Sequence, residues 1–256
     1  MMKKRIEKII EQCPYKVHVS IQDYKTTESV FQLREHEVFS SASVIKVPIL
    51  VAILAHLQET NGSLQQIVKI AEENIVDFSV LTEQEQTSST LYELLVWMII
   101  TSDNTATNAC IDFLGMDTLN KYFNEIGLKS TRIQRKMMDF ERQKLGLDNE
   151  TSAYDIQYLF QQIYNGHLLS KQWNDIAIDI LCRQRSHESL KRYIVDHVKM
   201  AHKTGGLDTV DHDAGIVYTN DRDYFIGVFI TEVEDNDKAK QYIGAISKVV
   251  YEHYTK

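Results

Sequence analysis

Proline is almost absent from this chain: Pro14 and Pro48 are the only two in 256 residues, so few points force a helix to stop and a helix-rich fold is expected. Cysteine is scarce as well. Cys13, Cys110 and Cys182 are odd in number and widely spaced, which argues against a disulfide framework and a thiolate metal site. The nine histidines form no His-x3-His or similar ligand pattern, so neither metal nor other cofactor is expected. Basic charge is also in deficit. With 28 Lys and Arg against 36 Asp and Glu, the net charge of −8 disfavours nucleic acid, and Lys3-Lys4-Arg5 is too short to reverse that. No apolar run reaches the roughly eighteen residues of a membrane helix, and no repeat, low-complexity tract or linker is visible.

The first residues resemble a secretory leader only in their charge. Ile6, Ile9 and Ile10 alternate with Glu7, Lys8 and Glu11, which is an amphipathic helix rather than an unbroken apolar segment. The chain as it stands is therefore expected to be cytoplasmic, or secreted if a leader has been removed, and a monomer.

What is present is chemistry. Three strings occur in order: Ser43-Val44-Ile45-Lys46, Ser102-Asp103-Asn104 and Lys203-Thr204-Gly205. On a helix, positions three apart share a face with Cβ atoms roughly 5–6 Å apart, so Lys46 can bring its amine to the Ser43 hydroxyl. A serine hydroxyl becomes a nucleophile when a neighbour takes its proton, and a lysine does so only when neutral; burial and a second cation, Lys203, would both favour the neutral form. Ser40 and Ser41 are cap candidates for a helix starting near Ser43, and Pro48 falls in its first turns, where a missing N–H costs little. The Ser43 N–H is then one oxyanion donor, with the Gly206 N–H assigned as the second.

The second string lies between two apolar stretches, Leu91 to Ile100 and Ala106 to Ile111, and reads as a polar turn between buried helices. There Asp103 caps the following helix, Ser102 relays a proton to a leaving nitrogen, and Asn104 holds a substrate amide. The third string lies on a strand facing the serine, where Lys203 offers a cation to a substrate carboxylate and to Ser102.

Phe39-x3-Ser43-x2-Lys46-Val47, Ser102-Asp103-Asn104-Thr105-Ala106-x-Asn108 and the closing strands with their long helix resemble the class A serine β-lactamases and related penicillin-recognising acyl-serine enzymes, from about Phe39 to the C-terminus. The resemblance implies Ser43 as acylated nucleophile, Lys46 as base, Ser102 as relay, Asn104 as amide clamp and Lys203 with Thr204 as carboxylate site. It also exposes departures. In the loop between Arg132 and Ser152 an ungapped alignment keeps Arg135 as the loop arginine and Glu150 as its acidic partner, but puts Met137 where the family's water-activating glutamate stands. A methionine cannot abstract a proton. Glu141, at the place of the water-positioning asparagine, is the first candidate substitute and Asp139 the next. Ala214 stands where a carboxylate-binding arginine is common, and His212 and Asp213 are assigned to a turn or the substrate rim.

The expected architecture is an α/β two-part fold. An antiparallel sheet built from both chain ends (1–38 and 188–256) and flanked by helices adjoins an all-helical insert (39–187), with the site at their junction. Strands are expected over Lys16 to Tyr24 and Ser29 to Leu33, with helices over Thr151 to Tyr164, Lys171 to Leu181 and Asp235 to Thr255. Three readings stay open for a small-molecule acyl substrate: a β-lactam hydrolase with slow deacylation, a serine peptidase or esterase on another acyl compound, and a sensor that acylates without turnover.

Overall fold

The computed structural model describes residues 2–255; Met1 and Lys256, the outer limits of the expected sheet unit, lie outside the described residues. Helix α1 (Met2–Gln12) precedes β1 (Lys16–Asp23) and β2 (Ser29–Leu33). The middle of the chain carries short strands β3 (Phe39–Ser40), β4 (Ile67–Lys69), β5 (Ser88–Thr90) and β6 (Glu150–Thr151) among helices α2 (Lys46–Thr60), α3 (Val80–Glu83), α4 (Leu91–Ile100), α5 (Asn104–Leu114), α6 (Met116–Glu125), α7 (Phe140–Lys144), α8 (Ala153–Asn165) and α9 (Lys171–Cys182). The chain closes with β7 (Lys199–Leu207), β8 (Val210–Tyr218), β9 (Tyr224–Thr231) and α10 (Asn236–Tyr254).

The main sheet has five antiparallel strands in the order β2-β1-β9-β8-β7, so its first and last thirds of sequence meet where β1 pairs β9, and β7 is left as an edge. Both faces are covered. α1 and α10 pack Ile6, Ile243, Ile246 and Val250 against Val19, Val228 and Ile230. The other face meets α8 and α9, and behind α9 lies α2, which is apolar on every side from Val47 to Leu54 and fully enclosed, as a helix without a polar face must be. By length and composition α2 and the turn before it could cross a membrane, yet here they form the centre of the core.

Local chemistry sets the helix starts. Thr90 and Glu93 form a reciprocal capping box at α4, Ser152 caps α8 and Asp235 caps α10. The expected caps before α2 are not made. The chain enters it through a 3-10 turn, Ala42–Ile45, and the Ser41 hydroxyl is committed to the Asn149 carbonyl at 3.0 Å. His212 and Asp213, assigned from sequence to a turn or rim, lie instead inside β8 with no exposure; His212 bonds the Ser40 carbonyl and Asp213 bonds His202.

Candidate active site

Three elements from different layers converge on one hydroxyl. Lys46 opens α2, Ser102 ends the turn after α4, and Lys203 sits on β7; both lysines are wholly buried. Lys46 Nζ donates to the Ser102 carbonyl and Asn104 Oδ1, both at 2.8 Å, and lies 3.1 Å from Ser102 Oγ. Lys203 Nζ donates to the Thr204 carbonyl at 2.7 Å and reaches the same Ser102 Oγ at 3.1 Å. Ser102 Oγ thus bridges the two amines. The expected contact between Lys46 and the Ser43 hydroxyl is absent among the described residues: the amine instead holds the Ser102 turn.

This arrangement fixes protonation. Burial drives Lys46 well below the ordinary lysine range, and the Lys203 charge drives it further. Burial also brings Lys203 down to about 7, with Asp213 opposing. A neutral Lys46 has two N–H bonds, and two carbonyl-type acceptors take them. Its lone pair is left for a hydroxyl hydrogen. Asn104 Oδ1 is held by Lys46, so its NH2 is presented to the cavity that also contains Ser43.

The backbone around the nucleophile is tightly specified. Ala42 (φ 43°) and Ser102 (φ 59°) both occupy the left-handed region, at a cost of roughly 1–3 kcal/mol each, a feature typical of functional turns. Gly205 is required by close approach: a Cβ there would fall 3.0 Å from the Ser43 nitrogen and 3.1 Å from that of Val44. Gly206 follows at the cavity wall beside Ser43. Asp103 caps α5 through Ala106 N–H at 2.8 Å and also accepts from Leu81 N–H at 3.3 Å. Thr204 pairs with Asp213, and Ala214 lies buried opposite Lys203.

The loop over residues 131–150 departs from expectation in two places. Arg135 pairs with Asp148 at 2.7 Å, not with Glu150, which pairs with Arg132 at 3.3 Å. Glu141, expected as the substitute base, has a side chain 83% exposed and paired with Lys144 at 2.8 Å; it is absent from the cavity beside Ser43. Helix α7 carries it outward, with Asp139 used as the cap of that helix. Met137 does line the cavity, and Asn108 pins its backbone in both directions: Met137 N–H donates to Asn108 Oδ1 at 2.7 Å and Asn108 Nδ2 to the Met137 carbonyl at 3.3 Å. Asp148 also lines it, but its carboxylate is taken by Ser40, Arg135 and its neighbour Asn149.

Sequence reasoning missed Asn149. Its buried side chain accepts from Gln134 and Arg135 N–H (2.8 and 3.1 Å) and donates to the Arg135 carbonyl (3.1 Å), while its own carbonyl takes Ser41 N–H (2.8 Å). It ties the loop to the turn bearing the nucleophile, and nothing local in sequence marks it. Replacing Asn149 with Ala is expected to cost roughly 3 kcal/mol, because buried backbone groups lose their partners. Urea unfolding measures this, and a loss below about 1 kcal/mol would contradict the assigned role.

The family model described as "Beta-lactamase enzyme family" matches residues 1–254. The beta-lactamase VEB-1 of Pseudomonas aeruginosa is 25% identical over 84% of this chain and 78% of its own length, and a beta-lactamase of Bacteroides uniformis is 24% identical over 93% and 86%. Among solved structures, a beta-lactamase from Chitinophaga pinensis superposes with a TM-score of 0.92 at 23% identity over 99% of both chains. PBP-A, solved also as a point variant in an acyl-enzyme complex with penicillin G, gives 0.90 at 28% identity for that variant, over 99% of this chain and 95% of the other.

Proposed function

Because the chain belongs to the beta-lactamase enzyme family, we propose that it is a serine hydrolase that opens β-lactam amides through an ester on Ser43 and releases the product slowly. The observation that carries this reading is the Ser102 hydroxyl held 3.1 Å from each of two buried lysine amines, beside the cavity that contains Ser43. Ser43 Oγ attacks the carbonyl carbon while its proton passes to neutral Lys46, whose lone pair turns from the Ser102 hydroxyl to the Ser43 hydroxyl for this step. The oxyanion is met by the N–H groups of Ser43 and Gly206. Collapse breaks the C–N bond; Ser102 gives its hydrogen to the leaving nitrogen and recovers one from the Lys46 ammonium, restoring the starting charge. Asn104 NH2 takes the acyl-side carbonyl, and Lys203 with Thr204 takes the carboxylate.

Breakdown of the ester requires a base at a water, and the groups beside Ser43 supply none that is free. Met137 is apolar, Asp148 is committed to four partners, and Glu141 faces solvent. The acyl-enzyme of PBP-A with penicillin G supports the same first half-reaction here. The second reading, a sensor that keeps its acyl group, differs only in the rate of this step.

A chromogenic cephalosporin with intact-mass detection is expected to give a burst of colour and a stoichiometric adduct, both abolished by Ser43→Ala, followed by slow further colour as the ester turns over. Release from small esters with no adduct from any β-lactam would move the assignment to another acyl substrate. Met137→Glu is expected to speed breakdown of the adduct by roughly 10²-fold, the scale of a general base, while Glu141→Gln leaves it unchanged.

The pH dependence follows from the two lysines. Acylation needs Lys46 without its proton and Lys203 with one, and both groups lie below the ordinary 10.5. Lys203 is charged below about 7 and loses its charge as pH rises through that value, so the second-order acylation rate is expected to fall there, while Lys46, lowered well below the ordinary lysine range, keeps its base form available at lower pH than a free lysine would. An acylation rate still climbing toward 10.5 would rule this out.

A further inference from the structure

The leaving-group side of the cleft has a composition of its own. Edge strand β7 carries Thr204, Gly205 and Gly206 past Ser43, and these residues also wall a second cavity of about 340 Å³ between β7 and the start of α10. Its charged lining is Glu188, Asp208, Asp211 and Lys240, and Lys240 is neutralised by Glu188 at 3.1 Å. Two carboxylates remain, on Asp208 and Asp211.

Asp211 is the informative one. It pairs across the sheet with Gly206, the oxyanion-donor position, and is 3% exposed. Asn236 Nδ2 donates to its Oδ2 at 2.5 Å. Its Oδ1 has no hydrogen-bond partner among the described residues and faces Gly206, 3.6 Å from where a Cβ would stand. That oxygen opens to the cavity, and burial of the carboxyl pushes it up to about 6, with the Asn236 bond opposing. It is still ionised at neutral pH. On the opposite face of the strand, Ala214 supplies no cation beside Lys203, so the positive charge for a substrate carboxylate is confined to one point.

From this juxtaposition we infer that the preferred substrate carries an ammonium or other cationic group on its leaving portion, beyond the carboxylate, and that Asp211 with Asp208 receives it. The inference rests on the acyl-transfer reading and adds the substrate class: an amide whose leaving amine is zwitterionic, as in a diamino acid or a cation-bearing cephem. The carboxylate meets Lys203 and Thr204, and the cation passes round the edge of β7 to the acidic pocket. The order of charges along the cleft is thereby matched by the order along the ligand.

Three cephalosporins that share one acyl side chain and differ at the 3-position test it: a neutral acetoxymethyl group, a cationic pyridiniummethyl group and an anionic heterocyclic thiomethyl group. Adduct formation on Ser43 is followed by intact mass. The cationic compound is expected to acylate roughly tenfold faster than the neutral one and the anionic one slower, a spread that added salt compresses. Asp211→Asn is expected to bring the cationic-to-neutral ratio close to one. Asp208→Asn, on the exposed hairpin and without structural bonds to lose, is expected to lower the same ratio severalfold. Equal rates for all three compounds with the unaltered protein would overturn the cation pocket while leaving acyl transfer intact. A ratio unchanged in both variants would overturn it too. No adduct from any of the three would overturn the acyl-transfer reading, and this inference with it.

Discussion

Two lysine amines enclosed around one serine hydroxyl are the constraint on which the rest of the molecule depends. Moving Lys203 from 10.5 to about 7 corresponds to roughly 5 kcal/mol against its charged form, and Lys46 is held well below the ordinary lysine range by burial and by the Lys203 charge. Such a pair is an encumbrance in a folded core unless every N–H finds an acceptor. The Ser102 and Thr204 carbonyls and Asn104 Oδ1 provide them. Ser102 and Asn104 lie at the ends of elements, and Thr204 lies within β7, the edge strand of the sheet.

Holding those acceptors in place explains the strained backbone. Ser102 must turn its carbonyl and its hydroxyl toward the same amine, and it does so only with φ at 59°, directly after α4 and just before the Asp103 cap of α5. Ala42 at φ 43° does the same for the turn carrying Ser43. The apolar surroundings, α2 below and the sheet beside it, stabilise the fold enough to carry both costs. The edge of β7 supplies the remaining side, and a glycine at 205 lets that strand come within contact of the Ser43 nitrogen.

Much of this was legible. The three strings, Asp103 as a cap, both N-terminal strands and the last helix follow from local patterns, and observed bounds differ from the expected ones by only a residue or two. What was not legible is non-local. The Arg135 partner is Asp148 rather than Glu150, which pairs with Arg132 across an isolated bridge. Ser41 looks like a cap, but Asn149, distant in sequence, takes its hydroxyl. His212 and Asp213 look like a solvated pair by polarity alone. Their burial becomes tolerable only through partners, Ser40 and His202, that lie elsewhere in the chain.

The loop at Met137 separates position from chemistry. Asn108 grips its main chain in both directions, and Arg135, Asp148 and Asn149 fix the two limbs of the loop by contacts in which the Met137 side chain takes no part. The course of the loop at 137 is set by these main-chain bonds together with the Met137 side chain, which packs in the hydrophobic core. Lys46, Ser102 and Lys203 are held by bonds to one another, to Asn104 and to the Thr204 carbonyl, none of which involves this loop. The groups around the Ser102 hydroxyl and those that line the cavity at Met137 are thus supplied by separate parts of the fold.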